Sequence, residues 1–106
     1  VIGKNNLVIT PQFGPRVRLR ALFLDVDLEP TGPIEFEPCE GCDMPCRQAC
    51  PQKAFRSGSY SRALCDIEMG KAEANEVIVE NWKDDGSPDR VRKYCRACEL
   101  ACPVAR

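Results

Sequence analysis

Residues 38 to 51 run Pro38-Cys39-Glu40-Gly41-Cys42-Asp43-Met44-Pro45-Cys46-Arg47-Gln48-Ala49-Cys50-Pro51, which sets four thiols within twelve positions. A second, more open copy follows at Cys65, Cys95, Cys98 and Cys102, with Pro103 directly after the last one. Both copies end Cys-x3-Cys-Pro. Eight thiols in two such groups suit two 4Fe–4S clusters with four ligands each. A cubane needs four sulfurs converging on one small inorganic core, and a Cys-x2-Cys turn points two of them inward. The fourth, set before a proline, is expected at the start of a short helix facing away from its own loop.

In the bacterial two-cluster ferredoxins that fourth cysteine ligates the other cluster. The pattern therefore predicts Cys39, Cys42, Cys46 and Cys102 around one cluster. It predicts Cys65, Cys95, Cys98 and Cys50 around the second. Small neighbours (Gly41, Ala49, Ala97, Ala101) are expected to let backbone N–H groups approach the sulfurs. A disulfide framework is disfavoured because no signal peptide is visible and Cys39 to Cys50 are crowded. Four-cysteine zinc sites also use Cys-x2-Cys pairs, but as two separate pairs joined by a longer spacer, so zinc stays the stronger rival. A redox-active dithiol leaves the other thiols unexplained. Electron transfer is the function that this chemistry implies.

The chain contains no histidine, which excludes Rieske centres, His-ligated haem, His-containing zinc sites and Ser–His or Cys–His nucleophile pairs within it. No catalytic residue is identified. No apolar run is long enough to span a membrane, and a cytoplasmic location is expected. The net charge of −1 conceals a segregation. Residues 66–89 hold eight acids and two bases, and residues 90–106 five bases and one acid. A solvated helix and loop is the plain reading of the acidic block, and a docking face for a basic redox partner protein the sharper one. Cations beside the second motif would favour reduced, anionic clusters. Direct nucleic-acid binding has no support, because no basic patch with interleaved aromatics occurs.

Upstream, Leu7 to Thr10 predicts a short strand, ended by Pro11 and a turn at Phe13-Gly14-Pro15. Val17 to Leu28 predicts a second strand whose apolar parity changes near Ala21, as a bulge or two-sided burial would require. Two strands alone are marginal in water and need a larger sheet. Between the motifs, Ser61 is placed to cap a helix reaching about Asn75, with Ala63, Leu64, Ile67 and Met69 among its apolar positions and Cys65 on it. Val77 to Val79 predicts a strand, Asp84 to Pro88 a loop, and Trp82 a core filler packing this insert down.

Ile2-Gly3-Lys4-Asn5, the stretch Thr10 to Arg18, the run Leu22 to Leu28 and both cysteine motifs together resemble epoxyqueuosine reductase and its relatives. That family includes the corrinoid-dependent reductive dehalogenases. The resemblance implies an α+β chain with a ferredoxin-like two-cluster domain over 39–106. It implies that 1–38 is a β segment forming the tail end of a cobalamin-binding reductase core. It also implies that Gly3, Lys4 and Asn5 form a cofactor wall, the glycine permitting close approach and Lys4 offering a donor. The redox partner is then the upstream reductase domain. A free-standing two-cluster ferredoxin is the alternative. One departure stands out: three residues separate Cys42 from Cys46 where the family commonly has two, so the chain must bulge at Asp43-Met44-Pro45.

Overall fold

The computed structural model describes all 106 residues. In chain order the elements are α1 (Pro45–Gln48), α2 (Arg62–Ala74), β1 (Val77–Val79), β2 (Asp89–Val91) and α3 (Ala97–Ala101). The mixed α+β class read from the sequence holds. The two strands form an antiparallel hairpin in which Val77 faces Val91, Ile78 faces Arg90 and Val79 faces Asp89. Its loop closes through Lys83 N–H to Ser87 O and Gly86 N–H to Lys83 O, with Gly86 at φ 78°.

α2 forms where the sequence asks for it. Ser61 holds a non-helical conformation, and its Oγ accepts the Leu64 N–H at 3.4 Å. Ion pairs Arg62–Asp66 and Lys71–Glu68 lie along its surface. The face it turns inward is Cys65, Glu68, Met69 and Ala72, all half-buried. Of the apolar positions expected to be inward, only Met69 is; Ala63, Leu64 and Ile67 are exposed. Cys65 lies on the inward face, and the other three residues are on the exposed one.

α1 and α3 are the short helices within the two cysteine motifs, and they pack on each other. The extra residue of the first motif is absorbed at Met44, which adopts a left-handed conformation (φ 52°, ψ 51°) just before Pro45 opens α1. A left-handed non-glycine residue costs about 1–2 kcal/mol, so the bulge predicted at 43–45 is a strained one. The expected place of each fourth cysteine is corrected. Cys50 follows the end of α1, and Cys102 caps the C-terminus of α3, so neither opens a helix.

The N-terminal residues fold back on themselves. Ile2 bridges Val8, Thr10 bridges Gly14, and Gly3 N–H donates to Leu7 O at 2.9 Å. The strand expected over Leu7 to Thr10 is thus reduced to one arm of a tight hairpin. Ile9 from this arm is the largest fully buried side chain (1% exposed) and packs with Cys46 and Cys102. Arg16 then reaches the C-terminus, where its guanidinium donates to the carbonyls of Cys102, Val104 and Ala105.

The strand expected over Val17 to Leu28 does not form. Residues 17–37 carry no helix or strand, and Leu22 and Phe23 are 86% and 99% exposed. A strand requires a ladder partner, and no segment of this chain pairs with it. Trp82 is also corrected: it is 58% exposed in the hairpin loop, with no core beneath it to fill.

Candidate metal centre

All eight cysteines are free thiols. Around the first group, Cys46 enters from α1 and Cys102 from the end of α3, both buried against Ile9, with Cys39 packed onto them. Burial raises the Cys46 thiol above its ordinary value, and the nearby thiols of Cys102, Cys39 and Cys42 push it the same way against the lowering effect of the Arg47 N–H. Packing brings Cys46, Cys102 and Cys39 together. Cys102 comes to Cys46 from the far end of the chain.

The second group surrounds a cavity of about 270 Å³ whose wall includes Cys50, Cys65, Cys95 and Cys98. Three of these come from α2 and the last motif, and Cys50 comes from the first. Burial pushes the Cys98 thiol up to about 11, with further contributions from Cys95, Cys50 and Cys65. Tyr60, also in this wall, is pushed up to about 12, first by its interaction with the Cys65 sulfur and then by burial. The cavity is far larger than the roughly 10–15 Å³ that holds one water. It is roomier than a single ion needs, and no three thiol or carboxylate side chains converge tightly enough to hold one ion.

Backbone donors do reach the sulfurs, though not from the small residues expected to supply them. Lys4 N–H donates to Cys39 Sγ and Met44 N–H to Cys42 Sγ, each at 3.4 Å, and Ala54 N–H donates to Cys50 Sγ at 3.3 Å. None comes from Gly41, Ala49, Ala97 or Ala101 to a cysteine sulfur. The bulged Met44 and the turn after Pro51 aim their own N–H groups at the sulfurs, a consequence of backbone path that composition does not carry.

Gly3, Lys4 and Asn5 sit at the tip of the N-terminal hairpin, against the cysteine groups. A methyl on Gly3 would lie 2.2 Å from Ile9 Cδ1, so any larger residue there would displace the buried Ile9 side chain. Asn5 is 2% exposed and shares the wall of the second cavity. Its Oδ1 accepts the Leu7 N–H at 3.2 Å, while its Nδ2 has no partner.

Charge is largely paired near the second motif. Arg90 and Arg92 both contact Glu76, and Arg96 grips Glu99 with two hydrogen bonds (3.1 and 2.6 Å) while Arg18 adds a third at 3.4 Å. Arg96 first, with Arg18, holds the Glu99 carboxyl below its usual range against the opposing effect of burial. Four of the eight acids in 66–89 (Asp66, Glu68, Glu76, Asp89) are in ion pairs within the chain. The acidic block is accordingly an exposed surface with half of its acids paired within the chain, and the cations near the cysteines are partly offset. No helix is long and apolar enough to cross a membrane.

Three relatives illustrate what the chain is similar to. A tetrachloroethene reductive dehalogenase of Sulfurospirillum multivorans is 33% identical over 106 residues, covering 92% of this chain and 20% of that protein. A tetrachloroethene reductive dehalogenase of Desulfitobacterium hafniense is 41% identical over 86 residues, covering 78% of the chain and 15% of the relative. An epoxyqueuosine reductase of Bacillus cereus is 31% identical over 104 residues, covering 95% and 25%. The chain spans at most a quarter of the length of these curated relatives. No protein-family model and no solved structure matches it.

Proposed function

Because this chain is related over most of its length to one part of the reductive dehalogenases and epoxyqueuosine reductases, we propose that it is the electron-delivery part of such a reductase. In this reading residues 39–106 form a ferredoxin-like domain. Cys39, Cys42, Cys46 and Cys102 hold one 4Fe–4S cluster, and Cys65, Cys95, Cys98 and Cys50 hold the other. The clusters supply one-electron storage at potentials set by burial, charge and hydrogen bonds to sulfur.

The observation that carries the reading is the company Cys50 keeps. It shares a cavity with Cys65, Cys95 and Cys98, more than a dozen positions away in sequence, while Cys102 lies against Cys46. This placement supports a reading in which each motif lends its last thiol to the other group, the crossed ligation of two-cluster ferredoxins. The chain's own groups support both sites: the N–H groups of Lys4, Met44 and Ala54 favour charged sulfurs, and the buried Ile9 side chain packs against Cys46 and Cys102.

The catalytic half of this proposal is a cobalamin-binding core, to which residues 1–38 attach. The bare apolar run Leu22 to Leu28 supports it, since side chains so exposed call for a covering surface. The substrate class, organohalide or modified tRNA base, belongs to that core.

Two measurements test the reading. The anaerobically purified chain is expected to contain about eight iron and eight sulfide, with a broad visible shoulder that dithionite bleaches; a colourless protein with stoichiometric zinc would end the iron–sulfur reading. The longer protein is expected to bind a corrinoid. Its failure to do so leaves a free-standing ferredoxin-type electron carrier.

A further inference from the structure

The tip of the N-terminal hairpin faces both cysteine groups at once. Lys4 N–H donates to Cys39 Sγ, on the first group. The next residue, Asn5, stands in the wall of the cavity that holds Cys50, Cys65, Cys95 and Cys98. Its amide is oriented by the Leu7 N–H, which takes Oδ1 as acceptor and leaves Nδ2 as the donor end. That nitrogen is the one buried side-chain polar atom in the chain without a hydrogen-bond partner. Native chains seldom bury an amide donor that nothing accepts. Four thiols line the same cavity, so sulfur is an acceptor chemistry at hand.

We propose that Asn5 Nδ2 donates a hydrogen bond to a sulfur of the cluster held by Cys50, Cys65, Cys95 and Cys98, and so raises the potential of that cluster relative to the other. The inference rests on the two-cluster reading above. An N–H donor interacts more favourably with sulfur after an electron has been added, so it favours the reduced state. Asn5 is a positioning and tuning residue. It holds no iron, and its neighbour Lys4 serves the other group through the backbone alone.

The test is an anaerobic redox titration of the holoprotein, in which each cluster takes up one electron from dithionite. The two reduced signals are followed by electron paramagnetic resonance and assigned with Cys50→Ser and Cys102→Ser. Asn5→Leu removes both ends of the amide. Asn5→Ser removes the donor amide but retains an oxygen for the Leu7 N–H. In both variants the cluster of Cys50, Cys65, Cys95 and Cys98 is expected to shift about tenfold towards the oxidised form at fixed potential, equivalent to about 59 mV for a one-electron couple. The other cluster is expected to stay put. A role confined to the turn at Leu7 would leave both potentials unchanged and would be largely rescued by Asn5→Ser. Unmoved potentials, or a shift only in the cluster of Cys39, Cys42, Cys46 and Cys102, overturn the inference while the two-cluster reading stands. Loss of iron from both variants also counts against it, because a tuning donor does not hold the metal. A wild-type chain lacking about eight iron overturns the underlying reading and this inference together.

Discussion

Replacing Arg96 with methionine keeps the apolar stem of the side chain and removes the guanidinium that grips Glu99. Glu99 sits on α3 between Cys98 and Cys102, and its side chain is only 8% exposed, so water cannot replace what is lost. Two hydrogen bonds disappear, at 3.1 and 2.6 Å, and Arg18 at 3.4 Å is the sole remaining partner. Bonds to charged groups contribute about 1.5–3 kcal/mol each when buried. Arg96 itself is 47% exposed, which discounts the pair towards a combined cost of about 2 kcal/mol. Arg18 is 62% exposed and makes one long contact, so Arg18→Met is expected to cost less than about 1 kcal/mol. With five buried apolar residues in its core, the chain belongs near the low end of the usual range of about 5–15 kcal/mol, and the Arg96 change is a large fraction of it. Urea unfolding followed by circular dichroism gives both numbers. The pH dependence follows from the lowered Glu99 carboxyl. Its stabilisation is present above the ordinary value of 4.5 and is lost as pH falls through the depressed folded value. The gap between wild type and Arg96→Met is therefore expected to stay level from neutrality to about pH 5 and to close at lower pH. An Arg96→Met midpoint within about 0.5 kcal/mol of wild type, or a larger loss from Arg18→Met, would refute the reasoning.

Cys50→Ser is expected to disturb the cluster of Cys65, Cys95 and Cys98 and to spare that of Cys39, Cys42 and Cys46, with Cys102→Ser doing the reverse; iron content and resonance spectra read the outcome, and loss confined to the mutated motif's own cluster would contradict crossed ligation. Gly14→Ala places a methyl 2.3 Å from Val104 O at a φ of 58°, so this change is expected to destabilise the chain by more than about 1 kcal/mol in urea, whereas Gly32→Ala, with open space around it, is expected to show only the backbone cost. Ser61→Ala removes the cap of α2, and because that bond is long (3.4 Å) the loss is expected near the lower end of the range, about 0.5 kcal/mol, with helicity falling in parallel.

What the sequence revealed follows from how local each signal is. The cap at Ser61, the helix carrying Cys65, the strand Val77–Val79 and the bulge before Pro45 are all set by residues within a few positions, and each appears as expected. The rotation of α2 was not legible, because Ala63, Leu64 and Ile67 satisfy an apolar period as well as the face that Cys65 brings inward. Trp82 looked like core by its size, but a three-residue hairpin has no interior to offer it. The sulfur donors were missed for a related reason. Small side chains only permit a close approach, and the path of the backbone decides which N–H makes it. Asn5 was legible only as a neighbour of Gly3. Its burial and its unpaired nitrogen depend on Leu7 and on cysteines some 45 to 93 residues further along.

The packing also divides residues 1–38 unequally. Residues 1–16 are bound into the cysteine-bearing part: Ile9 fills the space between Cys46 and Cys102, Lys4 and Asn5 meet the two thiol groups, and Arg16 ties down the last carbonyls of the chain. Removing them would open the core at its single fully buried large side chain. Residues 18–35 are exposed throughout, yet they carry Leu19, Leu22, Phe23, Leu24, Val26, Leu28 and Ile34. A polar linker would need none of these, and a strand of this chain would have found a ladder. An apolar segment that neither folds nor is shielded is better suited to adding a strand to another sheet, which satisfies its backbone and covers its side chains together. The hairpin tip that faces both thiol groups and the bare apolar run suited to another sheet are thus consecutive pieces of one segment. In the proposed reductase, that continuity keeps the sheet of the catalytic core and the two clusters at a fixed short distance along the chain.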